Sequence, residues 1–486
     1  MTFDYRTYLS PFTWRYGSAE MRFLWSEAYK RSLWRKIWVA LAQAEADFNL
    51  VTPEQVQSLH AHIQDIDVER ALEIEAEIHH DLMAELKAFA EQAPDAGRIL
   101  HLGATSADIE DNADVLRTRA ALDLTLERLS GLLLDCCAQI ERLANTPIMA
   151  FTHLQPAEPS TLGYRLAVYA QDLYLDWQRL TELRSRLRAK GMRGAVGTGA
   201  SYAELLGADQ LPAFERRVSD LLGLSFFTVV TQVYPRKQDY QVVSGLAGLG
   251  ASLYKFAFDL RFLQSPPVGE LSEPFGKLQV GSSAMPFKRN PINSEKIDSL
   301  ARQLALLPRL AWDNAAHSLL ERTLDDSANR RTLLPEAFLI ADELLLTARR
   351  IFTGLVIDEA AIQRNLEAYG PFAGIERALM RLVMAGADRQ EMHESLRGHA
   401  LTAWERLRKG EANPLIEIIA ADEQLLKYLP AVELRRLMDI ARYVGDAPQR
   451  ALQLAQEIQT TIVASRPGPT ETNLTGTPTS SSTLRT

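Results

Sequence analysis

Residues 281–291 read Gly281-Ser282-Ser283-Ala284-Met285-Pro286-Phe287-Lys288-Arg289-Asn290-Pro291. Two adjacent hydroxyls, a cation and a carboxamide lie among prolines that block regular hydrogen bonding. Gly276 and Gly281 permit unusual dihedrals just upstream. The stretch fits neither a helix nor a strand. It predicts a mobile loop that presents polar groups to a ligand.

The surroundings of the loop are helical. Leu33, Ile37, Leu41, Ala44 and Phe48 recur at three- to four-residue steps, as do Val243, Leu246, Gly250, Leu253, Ala257 and Leu260. The second set belongs to a run from Asp239 to Leu263, a helix of roughly 35 Å at 1.5 Å per residue. Further periodic stretches lie near 112–145, 160–190, 292–320 and 333–354. Gly245, Gly248 and Gly250 fall inside the 239–263 run, where each glycine costs about 1 kcal/mol, so close helix–helix approach is expected there. Strand signals are scarce, and Phe226-Phe227-Thr228-Val229-Val230 is the best of them. The fold class expected is all-α with a central bundle of long helices.

Breaks in the pattern at Gly103-Ala104-Thr105-Ser106 and at Leu355–Asp358 suggest a helical domain over 1–104, the bundle with its loop over 105–357, and a second helical domain over 358–465. Residues 466–486 are rich in Thr, Ser, Pro and Gly and are expected to form a disordered tail.

Composition narrows the function classes. The chain has 486 residues, 47% apolar and 24% charged, as in ordinary globular proteins. A net charge of -9 disfavours general nucleic-acid binding but leaves room for a local basic pocket. The two cysteines, Cys136 and Cys137, are neighbours, and adjacent residues bridge only with strain, so a reducing, cytoplasmic setting is expected. No Cys/His spacing suggests zinc, no signal-peptide apolar run follows Met1, and no uninterrupted apolar stretch of about 18 residues could span a membrane.

Four polar groups could carry chemistry. His153 lies in Thr152-His153-Leu154-Gln155-Pro156, where the proline keeps it off a helix interior, and His80 lies beside a carboxylate, Asp81, that could orient it. Histidine suits proton transfer near neutral pH, although each ring alone reads more readily as structural. Arg322, Arg330 and Arg331 with Ser327 and Asn329 could clamp an anion, or simply form a salt-bridged helix start capped by Ser327 or Asp326. Arg15 and Tyr16 offer a cation beside an aromatic, or an arm packed on the core.

The chain resembles the adenylosuccinate lyases of the fumarase/aspartase superfamily from about Ser10 to about Val463. Leu102-Gly103-Ala104-Thr105-Ser106 is similar to the family's first signature, Thr152-His153 with Gln155-Pro156-Ala157 to the second, and 281–291 to the third. The Glu321–Arg331 block is similar to a segment typical of adenylosuccinate lyases rather than fumarases. The resemblance implies a three-domain, all-α, fumarase/aspartase-like fold that eliminates fumarate from adenylosuccinate to give AMP, and from SAICAR (the succinylated aminoimidazole carboxamide ribotide) to give AICAR. It implies a homotetramer whose active sites are each drawn from three chains, with no cofactor and no metal.

The same resemblance implies the roles. Ser282 would be the general base and His153 the general acid, with Glu295 orienting His153. Lys288 and Asn290 would stabilise charge on the carboxylate next to the carbanion. His80, with His79 and Asp81, would lie on the substrate side, and Thr105 and Ser106 would bind the succinyl carboxylates. Arg15, Tyr16, Arg322, Ser327 and Arg331 would hold the phosphate and ribose, and Gln232 and Lys296 would contact substrate. His79 and Lys296 stand where arginine is expected, so both positions lack the bidentate fork. The alternatives are another fumarate-releasing lyase, such as argininosuccinate lyase, or a noncatalytic structural protein on the same scaffold.

Overall fold

The computed structural model describes residues 6–440 and 443–465; the tail expected over 466–486 lies outside them. A short N-terminal arm leads into α1 (Ala19–Leu24), α2 (Glu27–Asp47), α3 (Pro53–Ala61), α4 (Val68–Ile78) and α5 (Asp81–Gln92). The middle of the chain holds α6 (Ser106–Leu143), a hairpin of β1 (Pro147–Thr152) and β2 (Gln155–Thr161), α7 (Leu162–Ser185), α8 (Ala200–Leu206), α9 (Leu211–Leu222) and α10 (Lys237–Leu263). Then come β3 (Leu271–Ser272), α11 (Ile292–Ala316), α12 (Ser327–Thr353) and β4 (Val356–Ile357). The remaining helices are α13 (Glu359–Met384), α14 (Arg389–Arg408), α15 (Leu415–Ala421), α16 (Glu423–Leu426), α17 (Ala431–Met438) and α18 (Ala447–Ser465). The fold is all-α, and every long periodic stretch read from the sequence is a helix.

Helix polarity follows from cross-helix pairs. Arg330 meets Asp114 and Arg349 meets Asp135, so α6 and α12 run parallel. Arg330 also pairs with Asp239 while Phe256 stacks on Phe352, which sets α10 parallel to α12. Arg184 meets Asp123 while Trp177 meets Ser130, and Arg261 meets Asp298 while Arg302 meets Tyr254, so α7 runs against α6 and α11 against α10. The starts of α6, α10 and α12 therefore gather at one end of the bundle. Leu132 on α6, Leu180 on α7, Leu249 on α10, Leu304 on α11 and Leu344 on α12 are fully buried between these helices. The glycines in α10 serve close approach: a Cβ on Gly245 would stand 2.7 Å from Leu183 Cδ1, and one on Gly250 3.1 Å from Leu304 Cδ2.

The strand reading was misplaced. Phe226 makes one isolated bridge to Ala189, and 226–230 finds no neighbouring strand. An apolar β-branched run needs a ladder partner, and this one has only the Ala189 backbone, with Thr228 and Val229 left exposed. The true hairpin is β1–β2, where Pro156 pairs with Phe151 and Pro159 with Met149 across an irregular register. Both strands of a two-stranded ribbon are edges, where proline is tolerated. His153 and Leu154 form its tip, both with left-handed φ (52° and 60°), as a two-residue primed turn requires.

Cys136 and Cys137 are free, buried thiols, and Cys137 faces the Ala455 carbonyl of α18. No helix of the described residues is long and apolar enough to cross a membrane.

Glu45 on α2 is 1% exposed, and its Oε1 has no hydrogen-bond partner. Burial pushes its carboxyl up to about 8. A raised folded value means that the native state holds a proton the unfolded chain releases above about 4.3, so stability falls as pH rises from there to about 8. Glu45→Gln is expected to stabilise the protein by about 1–3 kcal/mol at pH 8, with the gain shrinking towards pH 5. Thermal melts of both proteins across that range test this, and a pH-independent difference would contradict it.

Candidate active site

A cavity of about 470 Å³ opens where the helix starts converge. Its wall includes the first residues of α5 (Asp81), α6 (Ser106) and α12 (Ser327), with Gln232 and Arg236 from the segment entering α10. Helix N-termini offer unpaired amides and a positive dipole end, so the place favours anions. Ten of the residues singled out in the sequence line it together: His79, His80, Asp81, Thr105, Ser106, Gln232, Arg322, Ser327, Arg330 and Arg331.

Local bonding explains their placement. The Thr105 amide donates to the Asp108 carboxylate at 2.9 Å, which starts α6 and sets Ser106 at the rim. His79 ends α4 in a left-handed conformation, and His80 then caps α5, with Nδ1 accepting from the Met83 amide at 3.4 Å. With Nδ1 accepting, the neutral ring carries its proton on Nε2, which lies 3.4 Å from Ser106 Oγ. The cap orients His80; the nearest Asp81 oxygen lies 3.8 Å from Nδ1, and the two Asp81 oxygens accept from the Leu82 amide and from Arg331, each at 2.8 Å. Burial raises the Asp81 carboxyl, but the Arg331 hydrogen bond and charge, with the Leu82 amide, prevail and hold it below the usual carboxylate range.

Beneath the cavity lies a charge network that sequence reading missed. Arg236 donates two hydrogen bonds to Asp111, both at 3.0 Å, and a third to Asp326 at 2.6 Å. Asp326 thereby makes no helix cap; it also accepts from Arg322 at 2.7 Å. Arg330 binds Asp239 at 2.8 Å, the Tyr234 hydroxyl at 2.9 Å and Asp114 at 3.1 Å. Asp111 and Asp114, three residues apart on α6, look in the sequence like a solvated helix face. Their only cue is proximity to Thr105 and Ser106.

The other expected residues lie elsewhere. In the 281–291 loop, Ser282 Oγ accepts from the Met285 amide at 3.1 Å, and Asn290 Nδ2 donates to the Gly281 carbonyl at 3.0 Å. A Cβ on Gly281 would lie 2.2 Å from the Lys288 carbonyl oxygen, so only glycine lets the loop close on itself this tightly. Ser282 is half-buried and the Lys288 side chain is exposed. Lys296 reaches Glu343 at 2.6 Å, and the Gly17 amide takes the other Glu343 oxygen at 3.0 Å. That tie brings the arm bearing Arg15 and Tyr16 close to Lys296, away from the cavity wall. Arg15 lies 5.6 Å from the centre of the Trp14 ring, and Tyr16 packs against Phe12.

Within one chain these groups do not converge. Phe151, at the end of β1, meets Phe262, and Gln264 donates to the Arg289 carbonyl, which places hairpin and loop at the finish of α10. The cavity sits at its start. Across the 27 residues of α10 that is about 40 Å. Among the described residues His153 and Glu295 form no ion pair; Glu295 stands exposed in the first turn of α11.

Residues 17–306 match the family model described as lyase, and residues 372–452 match adenylosuccinate lyase C-terminus. The chain is 38% identical over 463 residues to adenylosuccinate lyase of Saccharomyces cerevisiae, covering 93% of this chain and 95% of that protein. It is 35% identical to the enzyme of the same name from Pyrococcus horikoshii, covering 92% and 98%. Among solved structures, 3-carboxy-cis,cis-muconate lactonizing enzyme from Pseudomonas putida superposes with a TM-score of 0.80 at 27% identity, covering 91% of this chain and 98% of that one. A fumarate lyase from Mesorhizobium sp. BNC1 gives 0.79 at 25% identity, covering 90% and 98%.

Arg236, Asp111 and Asp326 are each less than 5% exposed. Arg236→Met keeps the side-chain bulk but leaves the buried Asp111 carboxylate without its cation and Asp326 with Arg322 alone, which costs about 3–5 kcal/mol. A denaturant midpoint lowered to match is expected; an unchanged midpoint would mean that the network holds nothing together.

Proposed function

Because this chain belongs to the adenylosuccinate lyase family, we propose that it eliminates fumarate from adenylosuccinate to leave AMP, and from SAICAR to leave AICAR. The observation that carries the reading is a match to adenylosuccinate lyases across nearly the whole chain, the cavity-lining segments included. The cavity chemistry supports it, since helix starts and the guanidinium groups of Arg322 and Arg331 suit a phosphate and carboxylates. Absorbance of fumarate after adding adenylosuccinate tests it. Release from argininosuccinate alone would favour the sister lyase, and no release from either would favour a noncatalytic scaffold protein.

The proposed reaction begins when the Ser282 oxygen removes a proton from the succinyl β-carbon. The electron pair moves into the neighbouring carboxylate, where Lys288 and Asn290 stabilise the charge. It then returns to form the double bond of fumarate as the C–N bond breaks, and His153 gives its proton to the leaving nitrogen. Serine is a poor base in water, so the loop must exclude solvent and bring Lys288 near. Asn290 must also release Gly281, which it holds in the closed-on-itself loop.

The active enzyme is proposed to be a homotetramer in which a cavity of one chain receives the hairpin and the loop of two others. In that assembly Glu295 would reach His153 between chains. Two features support this: the roughly 40 Å between cavity and loop, and large apolar side chains left exposed on α7, α10 and α11, among them Leu175, Phe258, Leu306 and Trp312. The free thiols fit the reducing cytoplasm as its compartment.

Ser282→Ala is expected to keep its melting temperature and lose nearly all turnover; near-normal turnover would remove Ser282 from the role of base. His153→Gln is expected to lower turnover by roughly 10²–10⁴. Mixing the two inactive proteins under subunit exchange is expected to restore part of the activity. An active, monodisperse monomer in solution scattering would exclude the shared site.

A further inference from the structure

Six carboxylates line the cavity, and five have partners. Glu27 meets Lys30, Glu75 lies 3.7 Å from Arg31, Asp81 holds Arg331, Asp111 holds Arg236, and Asp114 holds Arg330. The sixth, Glu110, makes no hydrogen bond and no ion pair within 4 Å among the described residues. It stands on α6 one turn after Ser106 and one turn before Asp114, on the same face, half-buried in the wall.

Its surroundings disfavour a negative charge. Asp81 faces it from α5, and Asp111 and Asp114 flank it on its own helix; Arg331 on α12 is the cation that opposes them. The other charges of the wall are already engaged. Lys30 of α2 is bound to Glu27, Arg117 of α6 lies near Asp114, and Arg330 of α12 is bound to Asp239 and Asp114. Arg236, before α10, and Arg322, before α12, share Asp326. The two histidines of the wall, His79 and His80, sit at the α4–α5 junction.

We propose that Glu110 works as a neutral carboxylic acid that donates a hydrogen bond to the phosphate of the bound nucleotide, so that nucleotide binding takes up a proton at this residue. The inference rests on the nucleotide reading of the cavity and adds a residue to it. An ionised Glu110 has no donor to offer and would set another negative charge beside a phosphate drawn to Arg331. A protonated one removes the repulsion and supplies a donor, as buried acids in other sites do. Burial first, then Asp81, Asp111 and Asp114, push its carboxyl up to about 7 against the pull of Arg331, so the group titrates within the working range.

The sign follows. A bound anion raises the value further, so affinity is full below pH 7 and falls as pH climbs through 7 to 8. The phosphate itself, with a second pKa near 6, is already a dianion there and adds little slope.

The test is calorimetric titration of AMP into the intact enzyme at pH 7.5, in two buffers of different ionisation enthalpy. Wild type is expected to take up between about half and about three-quarters of a proton per site. Glu110→Gln, nearly isosteric and unable to titrate, is expected to bind AMP without that uptake. In parallel, the KM for adenylosuccinate is expected to rise above pH 7 by up to about tenfold per pH unit in wild type, and to stay flat in Glu110→Gln. AMP binding by wild type without proton uptake would overturn the role of Glu110 while leaving the nucleotide reading intact. So would an unaltered KM profile in the variant. Absence of both AMP binding and fumarate release would overturn the two together.

Discussion

Everything at the cavity end depends on one buried guanidinium. Arg236 bridges Asp111 on α6 and Asp326 at the start of α12, while itself leading into α10. Three parallel helix starts repel one another, because each ends in unpaired amides and a partial positive charge. Holding them side by side needs negative charge at the same place. Asp111, Asp114, Asp239 and Asp326 supply it, and Arg236 and Arg330 tie those carboxylates together. The outer ring of the cavity can then turn Arg322 and Arg331 towards a ligand. The cavity is therefore attractive to anions without being uniformly cationic: six carboxylates and six lysine or arginine side chains line it.

Helix direction decides what one chain can contain. Because α6, α10 and α12 run the same way, the loops after them collect at the far end, and both the 281–291 loop and the β1–β2 hairpin belong there. Binding groups and proposed proton-transfer groups are separated by the length of the bundle. No side-chain motion closes a gap of about 40 Å. Proximity, which contributes much of any enzymatic rate, must come from association in the reading favoured above.

The helices were legible in sequence because burial on a helix face imposes a 3.6-residue period, and 239–263, 292–320 and 333–354 all carry it. The loop was legible because Pro286, Pro291 and Gly281 contradict that period. Thr105, Ser106, Arg322, Ser327 and Arg331 stood out as polar groups at breaks in the pattern, and they share one cavity. Asp111, Asp114 and Arg236 did not stand out, since charged residues near or on a helix start resemble a wet surface until a partner helix covers them. The hairpin was hidden for a different reason: Pro156 and Pro159 read as breakers, and only a strand with an open edge accommodates them. The separation of His153 from the cavity depends on helix direction, which periodicity does not encode.

The junction at Glu343 has a consequence for how the chain can be handled. One oxygen of this nearly buried carboxylate binds Lys296, beside Glu295, and the other accepts the backbone amide of Gly17. The next amide, Ser18, takes Asp342, to which Arg128 is also bound. The start of the polypeptide is thus wired by its main chain to α12, whose Glu343 in turn holds Lys296 on α11, the helix that follows the loop. No substitution at Gly17 or Ser18 short of proline removes those amides, but a protease that trims the first eighteen residues removes both. Ragged processing of the leading segment would leave Glu343 and Asp342 each without one donor, although every residue around the cavity remained in place.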